Sequence, residues 1–200
     1  MSKYRDFYNH TLKTEAEAVE NLLSTLDYAV MDSIVDLLCT VKASGNKVIT
    51  AGCGTSGVAA KKIAHSLCCV EVPAYFLSPA DSVHGALGSI QKGDVVILIT
   101  KGGNTPEIIN YIPCCQEKKA IIIGVSENPE SILAQNADIY LKVRVEKEPC
   151  PWNMLATAST MAVIAAFDAI AITTMQHNGY TKEEFLRIHP GGAVGERLKK

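Results

Sequence analysis

Two segments of this 200-residue chain combine glycines, hydroxyls and the start of a helical pattern in the way an anion site requires. The first reads Ala51-Gly52-Cys53-Gly54-Thr55-Ser56-Gly57. Glycines let a backbone turn sharply and approach a ligand, while free helix-start N–H groups and the hydroxyls of Thr55 and Ser56 suit a phosphate. Gly52, Gly54 and Gly57 also match the G-x-G-x-x-G spacing of dinucleotide sites. Such a site also needs an acidic residue about 20 residues further on. Here segment 74–79 has none, and the first acid is Asp81. A smaller phosphate is the better fit. The second segment reads Thr100-Lys101-Gly102-Gly103-Asn104-Thr105-Pro106-Glu107, with Pro106 where the first turn of a helix prefers it. The candidate phosphate-binding residues are therefore Gly54, Thr55, Ser56, Thr100, Lys101, Gly102, Gly103, Asn104 and Thr105. The competing reading is two ordinary strand-to-helix turns.

A third polar cluster is Glu146-Lys147-Glu148-Pro149-Cys150-Pro151, which leads to Thr157, Ser159 and Thr160 on a helical segment. Its prolines fix an extended loop and hold Glu148 on a rigid segment. A glutamate in such a charged run is, taken alone, most often solvent-exposed. Of the five histidines, His84 opens His-Gly-Ala-Leu-Gly and His189 opens His-Pro-Gly-Gly-Ala-Val-Gly. Histidine beside glycine suits a general acid or base, because its pKa lies near neutrality, and equally suits a turn.

These loops must be positioned by something, and the apolar pattern says what. Val19, Leu22, Leu23 and Leu26 fall at helical spacing, and Ile34, Val35, Leu37 and Leu38 continue an apolar face. Ser44-Gly45-Asn46 ends that pattern. Short apolar runs follow at 48–51, 74–77, 95–100, 121–125 and 139–143, separated by helix-length segments such as 57–70 and 105–117. Near-continuous Val, Ile and Leu is what strands buried on both faces require. Strand–helix alternation predicts an α/β fold: a three-layer αβα sandwich with a central parallel sheet and the N-terminal helices packing outside. No repeat or linker-like run interrupts it. The expectation is a single domain over 1–200, with helices over 1–45 and the sheet, loops and C-terminal segment over 46–200.

Bulk properties remove other classes. A net charge of −2 gives no electrostatic case for nucleic acid, and pairs such as Lys61-Lys62, Lys118-Lys119 and Lys199-Lys200 read as solvated surface. The polar N-terminus is not a secretory signal. The apolar stretch 154–175 carries Asp168 at its middle, which costs about 2.5 kcal/mol or more in a lone membrane span. It reads as a helix buried in the protein or at a subunit interface, so no membrane association is expected. Seven cysteines without a CxxC suggest neither a disulfide framework nor a zinc site, and a cytoplasmic compartment. No cluster of ligands suggests a metal or an organic cofactor.

The ordered set AGCGTSG, HGALG, TKGGNT, EKEPCP, TAST and HPGGAVGERL resembles the SIS (sugar isomerase) family over about Lys47 to Leu198. Within it the chain is most similar to the arabinose 5-phosphate isomerases. The resemblance implies an aldose–ketose isomerase acting through an enediol without a cofactor, with D-arabinose 5-phosphate and D-ribulose 5-phosphate as the first pair to test. It also implies a homo-oligomer, usually a tetramer, in which the C-terminal histidine reaches a neighbour's site. Many members carry a C-terminal pair of CBS domains, and this chain ends before any begins. Of the family's four catalytic ionisable positions, two match Glu148, the candidate base, and His189, the candidate ring-opening or oxygen-shuttling group. His84 is a third candidate. The other two positions, a lysine and a glutamate, hold Thr55 and Asn104. Ala86 replaces the aspartate of HGDLG, and Thr100 and Gly102 replace serines. Lys101 is a new basic residue in the second loop, expected to bring positive charge to the phosphate. These departures keep two alternatives open: a phosphosugar-binding protein without catalysis, and a 6-phospho-3-hexuloisomerase.

Overall fold

The computed structural model describes residues 2–198, so the Lys199-Lys200 pair lies outside the described residues. Three helices come first: α1 (Arg5–Glu20), α2 (Leu22–Thr25) and α3 (Tyr28–Val41). The alternating part begins with β1 (Val48–Gly52), α4 (Gly54–Cys69), β2 (Ala74–Phe76), α5 (Pro79–Ser82) and a short 3-10 turn (Ala86–Ser89). It continues through β3 (Val95–Ile99), α6 (Pro106–Ile109), α7 (Tyr111–Lys118), β4 (Ile121–Ser126), α8 (Ile132–Asn136), β5 (Ile139–Lys142) and α9 (Ala158–His177). Two helices, α10 (Lys182–Ile188) and α11 (Gly192–Leu198), end the described chain.

All strand pairings are parallel, in the order β2-β1-β3-β4-β5. The strands alternate their contacts between two apolar layers. Val95, Ile97 and Ile99 of β3 join a core built with α1, α3, α4 and α9. Val96 and Leu98 join one built with α6 and α7, where the fully buried Tyr111 donates its hydroxyl to the Leu77 carbonyl at 3.0 Å. This is the expected three-layer sandwich.

Two helical runs are shorter than the sequence pattern suggests. The N-terminal pattern breaks before α3, where Asp27 Oδ1 accepts the N–H groups of Ala29 and Val30 at 3.0 and 3.2 Å and caps a new helix. The 105–117 segment divides into α6 and α7. Pro113 explains this division, because it has no N–H for the fourth preceding carbonyl and its ring crowds that carbonyl.

By length and apolar composition α9 could cross a membrane. Its packing is that of a sandwich helix. Ala158, Ala162, Ala166, Phe167, Ile170, Ala171 and Thr174 are buried, and Asp168 pairs with Lys62 of α4. The helix begins at the carboxyl end of the sheet. It ends near Val70 and Val72, just before β2, where Asn178 and Tyr180 line a cleft with Leu38 of α3. Its 20 residues separate those two ends by about 30 Å.

Candidate functional site

The sheet order reverses its winding between β1 and β3, and ligands in such sheets sit outside the carboxyl ends of the strands at that point. A cleft lies there. Its polar wall is Thr55, Ser56, Thr100, Lys101, Ser126, Ser159 and Thr160, and its floor is Ala59, Ile99, Val125, Val143, Ala156 and Val163. It encloses about 460 Å³ counting the open mouth.

The first loop brings a helix start to the cleft. Glycine is needed here because of packing: a Cβ on Gly57 would lie 2.6 Å from the Gly52 carbonyl oxygen. That contact seats α4 tightly on the end of β1. The N-cap residue Cys53 makes no side-chain cap, so the first-turn N–H groups lack a side-chain acceptor from it. Beside them stand the hydroxyls of Thr55 and Ser56, in the field of the positive end of a 16-residue helix.

The second loop is bound into its neighbours. Lys101 and Gly103 accept backbone N–H bonds from Glu127 and Leu133 at 2.9 and 3.1 Å. Asn104 Oδ1 accepts the Ile132 N–H at 2.8 Å, which ties the loop to the start of α8. The Thr100 and Thr105 hydroxyls bond to each other at 2.6 Å. Gly103 has φ +76°, and a Cβ there would meet the Ser131 hydroxyl at 2.1 Å. Of the nine candidate phosphate ligands, Thr55, Ser56, Thr100 and Lys101 therefore line the cleft. Gly54, Gly102, Gly103, Asn104 and Thr105 belong to its supporting loops.

Glu148 is the most constrained polar group of the site. Its side chain is 0% exposed. Oε1 accepts from the Ser159 hydroxyl and from Lys101 Nζ at 2.9 Å. Oε2 accepts from the N–H groups of Thr157 at 3.0 Å and Ser159 at 3.4 Å. Burial alone would push this carboxyl up. The bonds from Ser159, Lys101 and Thr157, with the charge on Lys101, outweigh it and hold the group at about 2. The loop carrying Glu148 is shaped by Asn153, whose Oδ1 accepts the Glu148 N–H at 2.6 Å. It is shaped also by Cys150, whose sulfur accepts the N–H groups of Leu155 and Met154 at 3.1 Å each. Those two bonds pull the thiol below its usual range.

The two histidines are elsewhere in the chain. His84 is exposed after β2, its N–H bonded to the Asp81 carbonyl at 3.0 Å, and it does not line the cleft. His189 follows α10, stacked on Phe185 with centroids 4.1 Å apart and with Nδ1 3.3 Å from the Phe185 carbonyl oxygen. It lies beyond the far end of α9, away from Glu148. Ser126 is a wall residue that loop composition does not reveal, although its place at the carboxyl end of β4 is the signal that could have found it. Ser159 and Thr160 belong with it at the start of α9.

Comparison with known proteins fits this geometry. The SIS domain family matches residues 43–173. The arabinose 5-phosphate isomerase KdsD of Pseudomonas aeruginosa is 36% identical over 201 residues, covering 99% of this chain and 60% of that one. KpsF of Escherichia coli O6:H1, also named arabinose 5-phosphate isomerase, is 36% identical over 94% of this chain and 57% of its own length. The chain thus spans about three-fifths of the curated relatives it matches. Among solved structures, a protein of Listeria monocytogenes is 50% identical with a TM-score of 0.92, covering 96% of this chain and all of that one. A protein of E. coli CFT073 in complex with arabinose 5-phosphate is 26% identical with a TM-score of 0.85, covering 95% of this chain and all of that one. With the matched domain covering well over half its length, and with the sheet order and loops described above, this chain belongs to the SIS domain family.

Proposed function

We propose that the cleft binds an open-chain phosphopentose and interconverts its aldose and ketose forms through an enediol, with D-arabinose 5-phosphate and D-ribulose 5-phosphate as the pair. The observation that carries this reading is the conjunction, in one cleft, of an open helix start flanked by hydroxyls and of Lys101, held from behind by the buried Glu148. The first suits a phosphate and the second suits charge that develops on the sugar. Two relatives named arabinose 5-phosphate isomerase, and the E. coli protein solved with arabinose 5-phosphate, support the choice of substrate. In this reading Thr55, Ser56 and Thr100 hold the phosphate, framed by Gly54, Gly102, Gly103, Asn104 and Thr105.

Isomerisation needs a base at carbon. Glu148 is poorly suited, because a carboxylate with no exposure, four donors and a pKa of about 2 is far from a base poised near neutrality. His189 suits the task better, supplied by a second copy of the chain. Exposed apolar side chains on α1 and the Glu148 loop, among them Phe7 and Leu155 in one surface cleft and Trp152 and Met154 on the loop, support such an assembly as a dimer or tetramer. Seven free cysteines fit a reducing, cytoplasmic setting.

The test is proton exchange. The protein is incubated with arabinose 5-phosphate and ribulose 5-phosphate in deuterium oxide, and the proton beside the carbonyl is followed by NMR. The expected result is exchange together with aldose–ketose conversion. Saturable binding without exchange would support the second reading, a phosphosugar-binding protein, which the uncharged Thr55 and Asn104 favour.

A further inference from the structure

We propose that Lys101 is the electrophile of this site, donating a hydrogen bond from its ammonium to the carbonyl oxygen of the open-chain phosphosugar, and that Glu148 acts through it as a positioning residue. The proposal rests on the isomerase reading above and assigns one catalytic group within it.

Lys101 is the one charged side chain among the described residues lining the cleft. Its side chain is 40% exposed at the wall, whereas its partner Glu148 is 0% exposed behind it. The lysine side chain is therefore open to the cleft, and the carboxylate is not. An ammonium has three donors, and the bond to Glu148 Oε1 at 2.9 Å uses one of them. The carboxylate is itself fixed by Ser159 and the start of α9, so it sets the direction of Nζ. The lysine backbone is fixed too, through its carbonyl bond to the Glu127 N–H.

The same pairing argues against a phosphate role. Seen from several ångströms away, Lys101 and Glu148 form a nearly neutral pair, with little pull on a dianion already held by a helix start. At hydrogen-bond contact the ammonium proton still meets an oxygen directly. The step balances without any oxidant. A base takes the proton from the carbon beside the carbonyl, and the C–H electron pair forms the carbon–carbon double bond. The carbonyl π pair moves onto oxygen, where Lys101 stabilises it. The carbon proton then returns to the neighbouring carbon, and the hydroxyl proton passes to the former carbonyl oxygen. A donor preorganised for charge that appears only in the transition state raises kcat more than it tightens binding.

The test uses the full chain with Lys101→Met, Lys101→Arg and the double variant Lys101→Met/Glu148→Gln, which removes both charges and leaves none buried alone. Binding of arabinose 5-phosphate and of inorganic phosphate is measured by calorimetry, and turnover by NMR. We expect Lys101→Met and the double variant to lose on the order of 100-fold or more in kcat, with both dissociation constants changed less than about threefold. Lys101→Arg, which keeps the positive charge, should recover part of the rate. Full kcat in the double variant, or a loss confined to phosphate affinity, would overturn the proposal while leaving the isomerase reading intact. A wild-type protein that binds without turnover would overturn both.

Discussion

The loops after β1 and β3 are nearly alike in composition, with glycines, threonines and a helix start, and yet they are built for different work. In the first, Cys53 supplies no side-chain cap, so the N–H groups at the start of α4 and the hydroxyls of Thr55 and Ser56 face the cleft. In the second, the polar groups turn to the protein itself: Asn104 to Ile132, Thr100 to Thr105, and the Lys101 carbonyl to Glu127. From that scaffold Thr100 and the Lys101 side chain reach the wall, and Glu148 meets the lysine there. A glycine- and hydroxyl-rich turn is thus an anion cradle only when its donors lack partners inside the protein. In the proposed reading the first loop is the cradle, and the second is a mount for a cation.

This contrast can be broken in several places. The largest effect is expected from Glu148→Gln, which removes the negative charge facing Lys101 and weakens the bonds at the start of α9. Loss of one partner of a buried pair costs about 3–5 kcal/mol, and solvent screening at the partly exposed Lys101 lowers that to about 2 kcal/mol. Chemical denaturation would measure it. The same carboxylate sets a pH dependence. Its folded pKa is depressed, so its stabilisation is complete above the unfolded value near 4.5 and is lost as pH falls toward about 2. The wild-type protein should lose stability across that window, and Glu148→Gln should flatten this part of the curve.

Gly57→Ala comes next. The new Cβ would press on the Gly52 carbonyl oxygen, which is backbone and cannot swing aside. A destabilisation of about 1–2 kcal/mol is expected, seen as a lower denaturation midpoint. Thr55→Ala with Ser56→Ala should weaken arabinose 5-phosphate binding about tenfold, the equivalent of about 1.4 kcal/mol, as read by calorimetry. Asn104→Ala sharpens the comparison from the other side. It removes the bond to Ile132 and should cost about 1 kcal/mol of stability, with phosphosugar affinity nearly unchanged. A collapse of affinity in that variant would show the second loop to be a cradle after all.

Much of this organisation can be read from the chain. The strands announce themselves because both faces are buried, as at Val95–Ile99, so apolar residues run without interruption. The cleft follows from the strand order, which places the loop ends of β1 and β3 side by side. Pairings across the fold are harder to read. Glu148 stands in a charged run whose local chemistry suggests exposure, and only the meeting of Lys101, 47 residues away in sequence, with the start of α9 buries it. Asn104 has the composition of a ligand and serves as a strut, because its acceptor meets the Ile132 N–H. The break at Asn110, which Pro113 explains, is signalled by that proline but hidden by the apolar periodicity on both sides of it.

The division of labour between the two loops is tested by a crystal structure of the protein with arabinose 5-phosphate bound. The expected complex has the phosphate on the N–H groups and hydroxyls of Thr55 and Ser56, and a sugar oxygen from the carbonyl end within hydrogen-bond distance of Lys101 Nζ. A phosphate seated on Lys101 and Asn104, with the start of α4 left empty, would contradict the account.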